Sequence, residues 1–241
     1  MKNIMLITTV LLFVACNFCI AQEKIKVENV NVSNEDDIAN SLPRNAVYIF
    51  PDFTEGKVFF KNGTTTSAKL NYNTLTEEMQ FVDDKENIMA ISNPQDIDYV
   101  IINKKVFYYV SEKSFGELLA NNDAAKLCVK RRTEYTETKS QGAYGQSNAT
   151  SAITNINATY DFKRSQLSVL RDLTFKIIDE FLLERNGKFT KITGIRSFFK
   201  IFPQYKDEIT KFVESNKINF KNEKDLIKLT NYCTQLSLVK K

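Results

Sequence analysis

The stretch KVFFKNGTTTSAKLNYN, residues 57–73, decides the fold. Its Asn62-Gly63 pair lies between two runs rich in aromatic and β-branched residues, and this dipeptide favours the tight turns that join antiparallel strands. Beyond the turn, Ala68, Leu70 and Tyr72 alternate with polar residues, which is the period of two expected of a half-buried strand. The stretch therefore predicts a β-hairpin with one face in a core.

Strand patterns continue on both sides of this hairpin. They are AVYIF before it and EMQFV, IMAIS, DYVII, VFYYV, AKLCVKRRTEYTE and LTFKIIDEFLLE after it. Residues 46–110 are thus predicted to form an up-and-down antiparallel meander. A second turn, Asn186-Gly187, predicts a hairpin that leads into KFTKI. In SFGELLANN, Ser114 and Glu117 have the spacing of a capping box, which predicts one short helix.

The remainder of the chain divides into a polar insert and a helical tail. Residues 136–159 are almost all small and polar, and they bury too little apolar surface to offset the entropy of ordering, so a flexible insert is predicted. From Thr193 the apolar period changes to 3.6, which indicates helices. Asn222 and Asp225 are placed to cap the last helix, whose apolar stripe is predicted to face the core. That stripe consists of Leu226, Leu229, Thr230, Cys233 and Leu236.

This order of elements resembles an uncharacterised family of exported Gram-negative bacterial proteins, in which a β-rich body precedes a helical C-terminal tail. The resemblance rests on GKVFFKNGTTTSAKLNYN, EMQFV, VFYYV and FPQYKDEITKFVESNKINFKNEKDLIKLTNYCTQL. It covers residues 45–130 and 170–238, and it implies the architecture and export without assigning functional residues. We expect an α+β fold, with a curved antiparallel β-meander of about eight to ten strands and C-terminal helices.

Four segments are expected along the chain. The polar lead-in includes SNEDDIANSLP, in which Ser33 and Asp36 predict a short helix ended by Pro43. The segments are a signal peptide over 1–21, the lead-in over 22–44, the β-rich body over 45–192 with its insert, and the helical tail over 193–241 packed on the body.

The N-terminus predicts export to the periplasm or the cell surface. Lys2 precedes an apolar run over residues 4–15, which has the length of a secretory signal and falls short of the about twenty residues of a membrane span. Small residues, Cys19 and Ala21, occupy the two positions that a signal peptidase reads. Cleavage between Ala21 and Gln22 is therefore favoured, and no transmembrane span is expected in the mature chain.

Lipidation is the alternative to simple cleavage. FVAC, residues 13–16, would serve as a lipobox with Cys16 as the acylated residue, although Phe13 stands where such sequences favour Leu. A retained anchor ranks third, because no other stretch of the chain approaches the length of a membrane span.

Cleavage would leave Cys128 and Cys233, which could form one disulfide or remain as two buried thiols. Cys128 lies in a predicted strand and Cys233 on the predicted apolar stripe, so buried thiols are favoured.

Charge is distributed unevenly along the chain. Residues 22–130 contain 12 basic and 17 acidic residues, whereas residues 131–241 contain 20 and 12. A basic half can bind nucleic acid or an anionic surface. Because acidic residues alternate with the lysines in KDEITKFVESNK, solvated helix faces are favoured instead. Export also argues against a nucleic-acid partner.

The chain contains no histidine. Ser-His-Asp and Cys-His catalysis and most zinc sites are thereby excluded. No Gly-rich loop precedes a helix in the way that phosphate cradles require. We accordingly expect no cofactor, no metal site and no catalytic residues.

Three charged groups are candidate sites. Asp96 and Asp98 in PQDIDYV would lie about 7 Å apart on one face of an extended segment, as a glycosidase or a hard cation could use, but a charged strand start is favoured. DDKEN, residues 83–87, could attract Ca²⁺, but a hairpin turn is favoured. The basic triplet, residues 130–132, could bind an anion, but strand neighbours alternate faces, so a solvated edge is favoured.

The meander is crowded with aromatic residues, which could line a curved sheet that holds a lipid. A packed core is the favoured interpretation. The residues concerned are Phe59, Phe60, Tyr72, Phe81, Tyr99, Phe107, Tyr108 and Tyr109.

Three functions follow from these observations. The first is a non-catalytic exported binding or structural module, whose partner would be a protein or another envelope component. The second is a carrier of a lipophilic ligand in the curved sheet. The third, and least favoured, is a hydrolase based on Asp96 and Asp98.

Overall fold

In the computed structural model, the described residues are 24–31, 42–122, 124–138, 153–154 and 170–239. The strands are β1 Lys24–Asn31, β2 Thr54–Phe60, β3 Thr65–Asn73, β4 Glu78–Val82, β5 Ile88–Ala90, β6 Ile97–Ile102, β7 Lys105–Ser111, β8 Ser114–Asn122, β9 Ala125–Thr138, β10 Ile153–Thr154, β11 Leu170–Arg185 and β12 Lys188–Lys191. The helices are α1 Arg44–Val47, α2 Ile195–Ile201, α3 Lys206–Asn216 and α4 Glu223–Val239, with single 3-10 turns at Pro94–Asp96 and Pro203–Tyr205.

The twelve strands of this described part form one antiparallel sheet. Its main path is β1-β11-β9-β8-β7-β6-β2-β3-β4-β5, while β10 adds to β9 and β12 adds to β11. Two meanders, β2 to β5 and β6 to β9, meet where β2 pairs with β6. The α+β fold is confirmed: a curved antiparallel sheet of ten strands in its main path is followed by C-terminal helices.

Both predicted hairpins are present. β2 pairs with β3 across Asn62-Gly63, where the positive φ of Gly63, 86°, suits the residue without a Cβ. β11 pairs with β12 across Asn186-Gly187, and both turn residues have positive φ. Local turn chemistry thus sets the register of these two strand pairs.

Two hydrophobic cores occupy the fold. The meander core lies within the curled strands β2 to β8, and the tail core lies between β9, β11 and the helices α2 to α4. The buried members of the meander core are Phe50, Val58, Leu70, Tyr72, Met79, Ile97, Val100, Ile102, Phe107 and Phe115. Those of the tail core include Leu127, Val129, Phe181, Leu183, Phe198, Phe202, Ile209, Leu226, Leu229 and Cys233. The predicted stripe of the last helix therefore faces the core, with Leu236 partly buried beside it.

Capping of the last helix is confirmed in part. The side chain of Asn222 accepts a hydrogen bond from the Asp225 N–H at 3.1 Å, as an N-cap residue does. The Asp225 carboxylate instead accepts from the Asn219 N–H at 3.0 Å, and so ties the preceding loop to the helix.

The strand predicted for AVYIF is wrong. α1 occupies its beginning, and only Tyr48 bridges to Asn73. The reason is tertiary: the carbonyls of this turn are used by other segments, since Ala46 O accepts from the Thr133 hydroxyl at 2.9 Å and Val47 O from the Thr74 N–H at 2.7 Å.

The short helix predicted for SFGELLANN is also wrong, because this segment is β8 between β7 and β9. A Cβ at Gly116 would lie 3.2 Å from Val110 Cγ2 and 3.3 Å from Cys128 Cβ, so glycine permits the neighbouring strands to approach. Pairing on both sides of the strand outweighs the capping-box spacing of Ser114 and Glu117.

Three segment predictions also need correction. Residues 136–138 of the predicted flexible insert belong to β9, and Ile153 and Thr154 form β10, while the remainder of the insert lies outside the described residues. The polar lead-in contains β1, and the helix predicted before Pro43 falls mostly outside the described residues. The basic triplet lies on β9 between β11 and the β8 side of the sheet, not at a solvated edge.

Among the residues described, no helix combines the length and the apolar character needed to cross a bilayer.

Candidate functional site

The residues predicted for processing, namely Cys16, Ala21 and Gln22, lie outside the described part of the chain. Cleavage after Ala21 and lipidation at Cys16 therefore stay predictions.

Asp96 and Asp98 do not form the predicted pair on one extended segment. Asp96 ends a 3-10 turn that begins at Pro94, and only Asp98 belongs to β6. Both residues are exposed to solvent. Pro94 explains the difference, because proline at the start of a 3-10 turn fixes a bend where an extended strand was expected.

The DDKEN segment is a hairpin turn between β4 and β5. The Asp83 carboxylate accepts the N–H groups of Lys85 at 2.9 Å and Asn87 at 2.8 Å. Hydrogen bonds from Asn87 and Lys85 lower the pKa of Asp83 below its usual value. Within the described ranges, no group of three or more Cys, Asp or Glu residues is placed to hold a metal ion.

The basic triplet on β9 divides between different carboxylate partners. Lys130 Nζ lies 3.0 Å from Glu77 Oε2 and 4.0 Å from Glu180 Oε1. Arg132 pairs with Glu134, two residues along the strand. Arg131 contacts a separate set of carboxylates, so the three cations do not form one patch, as the alternation of strand faces predicts.

A cleft of about 500 Å³ lies between the α1 segment, the start of β7, and the central strands β9 and β11. We call it the basic cleft, because three of its lining residues are cations. Its lining consists of Arg44, Asn45, Tyr48, Ile49, Pro51, Thr74, Lys105, Arg131 and Ile177.

Arg131 lines the basic cleft and is held by three carboxylates. Its Nε lies 3.3 Å from Asp179 Oδ1, its Nη2 lies 3.2 Å from Glu223 Oε2, and its Nη1 pairs with Glu117. The Glu117 carboxylate also accepts Lys105 Nζ at 2.8 Å and is only 9% exposed. The acidic partners Glu117, Asp179 and Glu223 do not line the cleft, although each lies within ion-pair distance of a lining cation.

The charged form of the Asp179 carboxylate is disfavoured in this cluster. Burial raises its pKa above the usual value, Arg131 opposes that effect, and the nearby Glu117 adds to it. The charge of Arg131 therefore stabilises two carboxylates that would otherwise repel each other.

Arg44 and Lys105 lie at the more exposed part of the basic cleft. Arg44 Nη1 is 3.5 Å from Asp52 Oδ1, and the two side chains are 59% and 80% exposed, so solvent screens this pair strongly. The Lys105 side chain is 43% exposed and its ammonium carries three N–H donors, one of which serves Glu117. Donors therefore remain for a bound group.

The other lining residues are partly apolar, and two of them are fixed by hydrogen bonds. Ile49, Pro51 and Ile177 are its apolar members. The Tyr48 hydroxyl donates to Gln80 Oε1 at 3.1 Å, and the Thr74 hydroxyl donates to Val47 O at 2.9 Å. Side chains that are fixed by such bonds lose little further entropy when a ligand binds.

The aromatic residues of the meander lie on two faces of the sheet. Tyr72 and Phe107 are fully buried and pack near Phe115, with ring centroids of Tyr72 at 6.4 Å and 6.5 Å from the other two. This face is filled by packed side chains, so these rings do not line a lipid cavity. Phe60, Phe81 and Tyr109 are partly buried against the same core.

The other aromatics form a row across β2, β6 and β7. Phe59 stacks on Tyr99 with centroids 4.3 Å apart, and Tyr99 lies 6.0 Å from Tyr108. Lys57 and Lys126 lie over the rings of Phe59 and Tyr108 at 5.2 Å and 4.7 Å. Because these faces contact one another and the lysines, the row is accounted for by cross-strand packing.

Cys128 and Cys233 are free and buried, as favoured above. Burial raises the pKa of each thiol to about 12.

Sequence reasoning did not find Arg44 or Lys105 as site residues. It singled out Arg131 only as one of three neighbouring basic residues. The cleft joins segments that are far apart in the sequence, and no local motif marks such a set.

No family model, curated protein or solved structure matches the chain. The resemblance to exported Gram-negative proteins therefore stays an expectation.

Proposed function

We propose that the protein is an exported, non-catalytic binding module that holds a small amphiphilic anion in the basic cleft. The periplasm or the cell surface is its proposed location, on the grounds of the N-terminal sequence. The observation that carries the proposal is the lining of the cleft: it contains three cations and three apolar residues, and no acidic residue belongs to it.

The cations have distinct roles in this proposal. Arg131 is fixed by three carboxylates, which offset its charge, so it supplies a rigid lining group rather than the anion contact. Lys105 and Arg44 keep unused donors and are open to solvent, so they are the groups that would contact an anionic headgroup. Charge-assisted hydrogen bonds of this kind are about twice as strong as neutral ones.

The apolar lining residues would contact the hydrocarbon part of the ligand. Ile49, Pro51 and Ile177 offer no hydrogen bonds from their side chains, so they suit a hydrocarbon part. A volume of about 500 Å³ is in the range of small-ligand sites, which extend over roughly 300–1,000 Å³. In this proposal a lipophilic ligand would occupy this cleft rather than the interior of the meander, where the described core residues are buried.

Carboxylate-based hydrolysis receives no support from the placement of Asp96 and Asp98. Both are exposed, and neither lines the basic cleft.

Isothermal titration calorimetry tests the proposal with decanoate, acetate and decanol as probes. We expect decanoate to bind more tightly than acetate, which lacks the apolar part, and than decanol, which lacks the charge. Added salt is expected to weaken decanoate binding, because the cleft cations are partly exposed.

Matched variants locate the site. Arg44→Gln and Lys105→Gln are each expected to weaken decanoate binding by about tenfold, the loss of roughly one charge-assisted hydrogen bond. Lys113→Gln is the control, because this lysine is 70% exposed and pairs with Glu78 away from the cleft lining. The proposal fails if decanoate does not bind, or if the two cleft variants bind it as tightly as the control does.

A further inference from the structure

The strand β5 is an apolar edge of the sheet. Ile88 and Met89 are 47% and 48% exposed, and with Leu238 they are the exposed large hydrophobic side chains of the described residues. β5 pairs with β4 on one side and ends the main path of the sheet on the other. Two neighbouring exposed apolar residues thus lie on a strand that has one described partner.

The register of β5 identifies which of its backbone groups are unpaired. Phe81 lies opposite Met89, and the Ile91 N–H donates to Met79 O at 3.0 Å. Hydrogen-bonded pairs alternate with non-bonded pairs in an antiparallel ladder. Met89 therefore faces β4 with its backbone groups, whereas Ile88 and Ala90 point their N–H and C=O groups outward.

This edge lacks the features that protect edge strands from pairing. Natural sheets use charged residues, proline or bulges for that purpose. The segment NIMAIS, residues 87–92, contains no charge and no proline, while the sequence of the opposite edge strand, β1, contains Lys24, Lys26 and Glu28. The two edges of the same sheet therefore differ in their capacity to accept another strand.

We infer that β5 pairs antiparallel with β5 of a second copy of this chain, with the two Met89 residues facing each other across a two-fold axis. In this register Ile88 of one protomer lies opposite Ala90 of its partner. The outward N–H and C=O groups of these residues can then form four hydrogen bonds, and Met89 and Ile88 are covered on opposite faces of the joined sheet.

The charges around β5 fit this register. The acidic turn with Asp83, Asp84 and Glu86 would lie beside residues 92–95 of the partner, whose sequence SNPQ is uncharged. Pairing of β5 with β1 of another copy would be head-to-tail and would form a ring or an open filament rather than a closed pair. The β5–β5 contact is isologous and closes after two copies, which favours it as the occupant.

The contact is independent of the proposed ligand site, because no residue of β5 lines the basic cleft. A three-residue strand covers far less area than the roughly 1,000 Å² typical of stable interfaces. The association should therefore be weak and should depend on protein concentration.

Sedimentation equilibrium on the chain from Gln22 onward tests the inference. We expect a monomer–dimer equilibrium for the wild type and a monomer for Met89→Lys at the same concentrations. Leu238→Lys is the control, because it changes an exposed hydrophobic residue on α4 and should leave the equilibrium unchanged. A wild type that is monomeric up to about 1 mM overturns the inference, as does a Met89→Lys variant that dimerises like the wild type.

Disulfide trapping tests the register. Facing residues of a non-bonded antiparallel pair have Cα atoms about 4.5 Å apart, which is within disulfide range. Met89→Cys is therefore expected to give a covalent dimer under mild oxidation, whereas Glu86→Cys, which would face Ser92 of the partner, should give none. Equal trapping of the two variants would contradict the two-fold register, and circular dichroism would verify that both remain folded.

Discussion

The Arg131 side chain joins three carboxylates that come from β8, β11 and α4. One guanidinium therefore links the sheet to the start of the last helix, at a position where Arg131 is 19% and Glu117 9% exposed. Carboxylates this poorly solvated repel one another unless a cation lies between them. Arg131 is thus a structural requirement of the cluster as well as a lining residue of the basic cleft.

Removal of this cation should destabilise the protein. Arg131→Met is expected to lower the free energy of unfolding by about 1–3 kcal/mol, because Glu117 then keeps only Lys105, and Asp179 and Glu223 lose this cation. Lys113→Met breaks the exposed pair with Glu78 and should lower it by less than about 1 kcal/mol. Urea unfolding of both variants makes the comparison, and equal losses would contradict the role given to Arg131.

The raised pKa of Asp179 gives a pH dependence with a definite sign. The folded state keeps the Asp179 proton at pH values at which the unfolded state, with a pKa near 3.8, has lost it. This residue therefore contributes a loss of stability as the pH rises from about 3.8 through the raised value. Urea unfolding should show Asp179→Asn gaining stability relative to the wild type between pH 4 and pH 7, and a constant difference would refute this account.

Cys128 and Cys233 should be inert in the folded protein. With each pKa near 12 and both thiols buried, thiolate is scarce and inaccessible at pH 8. A chromogenic disulfide reagent should label the chain from Gln22 onward at least about 100-fold more slowly in buffer than in denaturant. Rapid labelling of one thiol under native conditions would indicate that its surroundings open readily.

At the scale of elements, the close approach of β2 and β6 depends on Gly56. A Cβ at this position would lie 2.8 Å from Ile101 O and 2.8 Å from Leu70 Cδ1, which is closer than real Cβ contacts. Gly56→Ala should therefore force the strands apart and lower the free energy of unfolding by about 1–3 kcal/mol. The melting temperature of Gly56→Ala is compared with that of Ser67→Ala, a control at an exposed position on β3. Similar melting temperatures for the two variants would contradict the expectation.

The elements that were predicted correctly are those specified by local chemistry. Asn62-Gly63 and Asn186-Gly187 favour their turns through local backbone preferences. The helices of the tail are indicated by the 3.6-residue period of the apolar side chains that face the core. β8 was missed because the spacing of Ser114 and Glu117 fits a helix cap equally well, and the deciding fact is the contact of Gly116 with β7 and β9. The basic cleft could not be predicted for the same reason, since Arg44 and Arg131 are far apart in the sequence and are brought to one cleft only by tertiary structure.

At the scale of the whole molecule, the sheet spans two cores and the helices cover one of them. None of the buried residues of the meander core comes from a helix of the tail, whereas the tail core contains residues of α2, α3 and α4. β9 and β11 contribute Leu127 and Phe181 to the tail core, and Arg131 of β9 also lines the basic cleft.

Processing of the chain is predicted to end at Ala21. Intact mass spectrometry of the protein from its native envelope should give the mass of residues 22–241. An acyl group on Cys16 would contradict simple cleavage and would make the protein a lipoprotein, while a removable additional mass on the cleaved chain would support a bound ligand.

The pairing of β1 with β11 has a consequence for how the chain reaches its final form. Lys24 lies opposite Lys176, so the strand that is synthesised first has its neighbour in the last third of the sequence. Contacts so distant along the chain raise contact order and slow folding, because a very long loop must close before they form. β1, the first strand of the described residues, must therefore wait until β11 has been synthesised before it can join the sheet.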